Sequence, residues 1–123
     1  MPNPKPARTS RRDSDLDVRD MFDRMTRAYL LTVISNNLIE EHRRKPYGHH
    51  SEPLTRLLAW CQRRPLPEQY AVKAEADGTF RIVSMTGRRR VAPSYLSEAR
   101  FASLEAARHG VLLRHISDLT GKQ

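Results

Sequence analysis

A chain of 123 residues with a single cysteine has room for one small domain and no internal disulfide framework, which fits a reducing compartment. Lys and Arg number 22 against 14 Asp and Glu, a net charge of +8, and such a field draws polyanions or an acidic protein partner. No run of 18 apolar residues and no cleavable leader is present, so the sequence predicts a soluble cytoplasmic protein without membrane contact.

Met1 to Asp13 is rich in Pro, Arg and Ser and has no apolar residue beyond Met1 and Ala7. It reads as a disordered basic tail. A first helix is predicted from near Ser14, with Asp17 in its opening turn. Val18, Met21, Phe22, Met25, Ala28 and Tyr29 form its apolar stripe, which is core or interface rather than a cofactor box. Ser35-Asn36-Asn37 interrupts the apolar run, and Asn37-Leu38-Ile39-Glu40 reads as a capping box opening a short second helix. Lys45 to His50 is a loop built around Pro46 and Gly48. Ser51 then caps a third helix with Pro53 in its first turn, which ends near Arg63 before Pro65 and Pro67. Along that helix Leu54, Leu57, Leu58 and Cys61 share one stripe, with Trp60 to one side, and the thiol behaves as a small hydrophobe. Arg43-Arg44-Lys45 and Arg63-Arg64 fall where helices stop, a favourable place for solvated cations.

Tyr70 to Ala74 and Phe80 to Met85 are aromatic and β-branched with partial alternation, as half-buried strands require. Asp77-Gly78 between them predicts a type I′ hairpin turn, in which both residues take positive φ. A third strand is expected near Arg90-Val91-Ala92. The final helix carries two apolar stripes, Leu104, Ala107 and Val111 on one and Leu112, Ile116 and Leu119 on the other, with Leu113 further round. One stripe suffices for a surface helix. Two require cover on two sides, from the hairpin and from either the rest of the chain or a partner. The predicted fold class is α+β, N-terminal helices followed by a small antiparallel hairpin or sheet packed on a C-terminal helix. Residues 1–13 form the tail and 14–123 a single domain, its helical part at 14–64 and its hairpin-plus-helix part at 69–119.

Chemistry is sparse. His42, His49, His50, His109 and His115 are imidazole candidates for a metal, but their spacing matches no ligand pattern. Glu40-Glu41-His42 puts two carboxylates beside an imidazole, yet helix neighbours do not face one another, so solvated residues are the expectation. No phosphate loop, nucleophile elbow or HExxH is present, and no catalytic, cofactor-binding or metal-binding residue is assigned. Apolar residues off the main stripes, Trp60, Leu112, Leu113 and Ile116, are the candidates for contact with a partner. A competing class is a nucleic-acid module with Arg81, Arg88, Arg89 and Arg90 on a small sheet. Against it stand an aromatic content of 7% and the expectation that Tyr70 and Phe80 face the helix rather than stack on bases.

Ile39-Glu40-Glu41-His42, then Lys45-Pro46-Tyr47-Gly48 and the Pro53-Leu54 helix, resemble the small, or alpha, subunit of N,N-dimethylformamidase. Arg100-Phe101, Ser103-Leu104-Glu105-Ala106 and Val111 to Asp118 are similar to that subunit's final helix, and Tyr70 opening the hairpin fits as well. The resemblance runs from about Leu30 to Leu119 and omits the basic tail. It implies a hydrolase complex that converts N,N-dimethylformamide to dimethylamine and formate. It implies a large catalytic subunit in a hetero-oligomer, with a mononuclear iron held there by two tyrosines and a carboxylate, and no cofactor in this chain. Under that resemblance the small subunit stabilises or assembles the large one, and nucleic acid is not its partner.

Overall fold

A computed structural model describes residues 11–121 of the chain, with side chains from Leu16 onward. Its elements are α1 (Arg11–Val33), α2 (Asn36–Arg44), α3 (Glu52–Gln62), a 3-10 turn (Leu66–Glu68), β1 (Tyr70–Ala74), β2 (Phe80–Ser84), β3 (Ser94–Tyr95) and α4 (Leu104–Thr120). This is the α+β order that the sequence predicts. α1 begins three residues ahead of Ser14, and the rest of the basic tail lies outside the described residues.

The helix starts show which polar groups win the capping role. Ser35, not Asn37, is the N-cap of α2, and its Oγ accepts from the Leu38 amide at 3.2 Å. Ser51 is the N-cap of α3, its carbonyl accepting from the Thr55 amide at 2.9 Å, but its side chain makes no capping bond to that helix. Its amide and hydroxyl donate instead to the Glu41 carboxylate, at 2.7 and 2.6 Å. Those two bonds hold the Glu41 carboxyl below the usual range and tie α3 to α2 across the loop. The far end of α3 is closed by Gln69, whose Nε2 donates to the Cys61, Gln62 and Arg64 carbonyls. One side chain ahead of β1 thus serves the Gln62 and Arg64 carbonyls and shares that of Cys61 with the Arg64 amide.

The three strands form one antiparallel sheet in the order β1-β2-β3, with Tyr70 opposite Ser84 and Ala74 opposite Phe80. The hairpin turn differs from the type I′ expectation. Asp77 keeps negative φ, while Gly78 takes +85°. The Glu75 amide donates to Thr79 O at 2.8 Å and the Gly78 amide to Glu75 O at 3.1 Å, which makes a three-residue loop with a bulge glycine. Asp77 serves that loop through its side chain, which accepts from the Thr79 amide and hydroxyl. β3 falls at Ser94–Tyr95, past the stretch expected from the sequence.

The flanking bonds fix which backbone groups of β1 are used. Met85 N–H to Gln69 O and Glu75 N–H to Thr79 O bracket the register, and bonded pairs alternate along an antiparallel ladder. Ala71 and Lys73 therefore turn their amides toward β2, and Tyr70, Val72 and Ala74 turn theirs outward. On β2's other side the Phe80 and Phe101 backbones exchange both bonds, at 2.9 and 2.8 Å, and β3 pairs beyond. The outer side of β1 has no strand, and its three outward residues have no backbone partner among the described residues.

α4 explains the two stripes. It touches both β1 and β2 on one side and α1, α2 and α3 on the other. Leu30, Leu38, Leu54, Leu57, Trp60 and Cys61 form the helical core, which Leu112, Ile116 and Leu119 complete from α4. Ser103 caps α4, its Oγ accepting from the Ala106 amide at 3.1 Å. Burial pushes the Cys61 thiol up to about 12, which removes its nucleophilic form at neutral pH. Gly110 lets the sheet approach closely, because a Cβ there would stand 2.8 Å from Phe101 Cζ and 3.0 Å from Ile82 Cδ1. Gly110→Ala is expected to cost about 1–3 kcal/mol in overpacking, against a helix-propensity gain of about 1. Urea denaturation giving a more stable variant would contradict that contact.

Candidate functional site

Two surfaces stand out, and the first is the face of α1. Only its last turns enter the core, through Leu30 with Tyr29, Val33 and Ile34 beside it. Arg27 donates to Leu119 O at 2.9 Å, and Asp23 pairs with Arg64 at 3.3 Å, fixing where the helix joins the body. Ahead of that point the stripe is bare: Val18 is 67% exposed, Met21 62%, Phe22 58% and Met25 66%. Four large apolar side chains at helical spacing on one exposed face are what a partner surface covers. Arg56, over the Tyr29 ring at 5.0 Å, and Arg63 border this face along α3.

The second is a groove of about 780 Å3 between the helical layer and the hairpin. Leu104, Val111 and Leu112 of α4 line it, with Leu58 of α3 and with Tyr70 and Val72 of β1. Its basic lining is Arg108 with the imidazoles of His42, His50 and His115. No carboxylate of the described residues lines it. Arg108 lies over the Tyr47 ring at 4.9 Å.

The structure unites histidines that sequence spacing keeps apart. His42 of α2 and His109 of α4 share a hydrogen bond between their Nδ1 atoms, 2.9 Å apart, so one ring donates and the other accepts. Their rings stack, with centroids 5.2 Å apart, and the His50 ring lies 6.1 Å from that of His42. His42 is buried, which corrects the expectation of a solvated residue. Burial, then the neighbouring His109 and His50, pushes His42 down to about 4, so it is neutral at pH 7. Burial also lowers His109 and His115. His115 meets Tyr70 edge to face at 5.0 Å, and the Tyr70 hydroxyl donates to Asp118. Among the described residues no three His, Cys, Asp or Glu side chains come together as a metal site would need.

Of the four residues expected at an interface, the structure places Trp60, Leu112 and Ile116 in this chain's own core. The cause is plain: α4 turns its second stripe onto α1, α2 and α3, and Trp60 packs there under Arg64, whose guanidinium lies 3.6 Å from the ring centroid. Leu113 alone of the four is open, at 41% exposed. Arg81, proposed for a basic β-surface, is buried; it donates to Ser97 O at 2.7 Å and stacks on Tyr95 at 3.7 Å. A groove-reading arginine cannot be held that way. No helix among the described residues is long and apolar enough to cross a membrane.

Fold and surfaces define a small α+β chain with an uncovered apolar helix face and an open strand edge. The chain belongs to the N,N-dimethylformamidase alpha subunit family, whose model matches residues 17–123. It is 27% identical over 113 residues to the N,N-dimethylformamidase alpha subunit of Paracoccus aminophilus, covering 87% of this chain and 79% of that protein. It is likewise 27% identical over 114 residues to the alpha subunit from an Alcaligenes species, covering 88% and 85%.

Proposed function

We propose that this chain is the non-catalytic small subunit of a cytoplasmic amide hydrolase that converts N,N-dimethylformamide to dimethylamine and formate. Its role is to dock on and stabilise a large subunit that holds a mononuclear iron, in a hetero-oligomer of both. The observation that carries this is the bare stripe Val18, Met21, Phe22 and Met25 in a chain of an alpha-subunit family. Covering such a stripe removes apolar area from water at about 25 cal/mol per Å2, a drive that a free chain leaves unused. Residues 1–13 remain outside this role, and Leu113 is a further contact.

The test is reconstitution. The chain expressed alone is expected to release no dimethylamine from N,N-dimethylformamide and to bind no stoichiometric metal, while activity and iron travel with the large subunit. Met21→Asp with Phe22→Asp should leave the melting temperature of the isolated chain nearly unchanged, since exposed positions shift stability by about 0.5 kcal/mol or less. The same pair should abolish co-purification with the large subunit. Amide hydrolysis by the chain alone, with metal bound, would overturn the proposal.

A further inference from the structure

We propose that the groove beside β1 is a slot for an extended, carboxylate-bearing segment of the large subunit, which joins the sheet as a fourth strand next to β1. This rests on the docking role above and names a second contact for the same partner. The register leaves Tyr70, Val72 and Ala74 with outward backbone groups and no partner among the described residues. Tyr70, Ala71 and Val72 all line the groove, which therefore runs beside β1. An unpaired edge of this kind is a template for another strand. Main-chain bonds give such strand addition its affinity, and pockets for alternate side chains give its selectivity.

The floor and walls fit that mode. Apolar side chains of the incoming strand would meet Leu58, Leu104, Val111 and Leu112, while the opposite wall is formed by the Pro46 to His50 loop. Charge fixes the chemistry of the occupant. Arg108 is the charged side chain lining the groove, with His42, neutral at pH 7, and two further imidazoles beside it and no carboxylate of the described residues in the lining. Of the acids nearby, Asp118 is engaged by Tyr70 and Arg114, Glu41 by Ser51, and Glu105 stands one turn before Arg108 outside the lining. A segment carrying Asp or Glu meets a complementary wall, and a basic one meets repulsion. The sheet's other edge is β3, a strand of only two residues, so the five-residue β1 edge is the longer template for an added strand.

Hydrogen exchange on the free chain and on its complex with the large subunit tests the slot directly. In the free chain the Tyr70 and Val72 amides should exchange about tenfold or more faster than those of Ala71 and Lys73, and the complex should slow them to the rate of their neighbours. Val72→Pro removes an amide that the β1–β2 ladder does not use, in an edge strand where Pro is tolerated. It should keep the free chain folded and weaken the complex about tenfold, and Arg108→Glu should act in the same direction. Tyr70 and Val72 amides that stay fast in an assembled complex overturn the slot, even if Val72→Pro itself fails to fold. Release of the complex by the Met21 and Phe22 variants, with Val72→Pro binding as the parent does, removes the slot and leaves the docking role standing. No complex for the unaltered chain removes both.

Discussion

Trp60→Ala is expected to lower the stability of the isolated chain by about 3–5 kcal/mol, the range for deleting a buried indole. The ring lies where α1, α3 and α4 meet, among Leu30, Leu57 and Leu119. Arg64 covers its outer face, pairs with Asp23 of α1 and donates to the Trp60 carbonyl, so removing the ring loosens a joint between helices as well as leaving a cavity. Ile116→Asp, from the same core, should prevent folding, because an unpaired carboxylate would be buried there. Urea denaturation of the chain without any partner distinguishes the outcomes. A loss under about 1 kcal/mol for Trp60→Ala would mean that the ring's neighbours collapse to fill the space, contrary to the packing described.

The isolated chain should also lose stability as pH falls from about 6.5 toward 4. His42 is neutral in the folded chain down to about 4, from an ordinary value of 6.5. Unfolding lets it bind a proton throughout that window, so the unfolded state gains as pH falls; above 6.5 neither state is charged and the full contribution is present. At 1.36 kcal/mol per unit the loss is roughly 3 kcal/mol for His42. His109 and His115 act in the same direction. The carboxylates Glu41 and Asp77, lowered in the fold, withdraw their contributions only below their own ordinary values of 4.5 and 3.8. His42→Phe should therefore flatten stability between pH 6.5 and 4.5 while leaving the decline below that. An unchanged slope in the variant would place the pH dependence elsewhere.

Much of the architecture was legible because it is local. Period-3.6 and period-2 patterns locate α1 to α4 and the β1–β2 hairpin, and proline and glycine mark the ends. Details fixed by pairing were not. Asp77-Gly78 marks where the chain reverses, but whether one residue or two take positive φ depends on how Glu75 meets Thr79 across the loop. Ser35 and Asn37 both have the chemistry of a cap, and the helix phase decides between them. The His42–His109 bond joins residues 67 apart, so only the packing of α2 on α4 reveals it. Trp60 and Ile116 look like surface on a helical wheel because the wheel does not show how many neighbours surround a helix. α4 has five.

The bare stripe on α1 includes two thioethers, Met21 and Met25, in reach of solvent whenever the chain is unaccompanied. Oxidants convert such groups to sulfoxides, which are polar, larger and chiral. Under the docking role proposed above, oxidation of Met21 and Met25 before assembly would weaken binding of the large subunit, burial in the complex would shield them, and reduction of the sulfoxides would restore the apolar face.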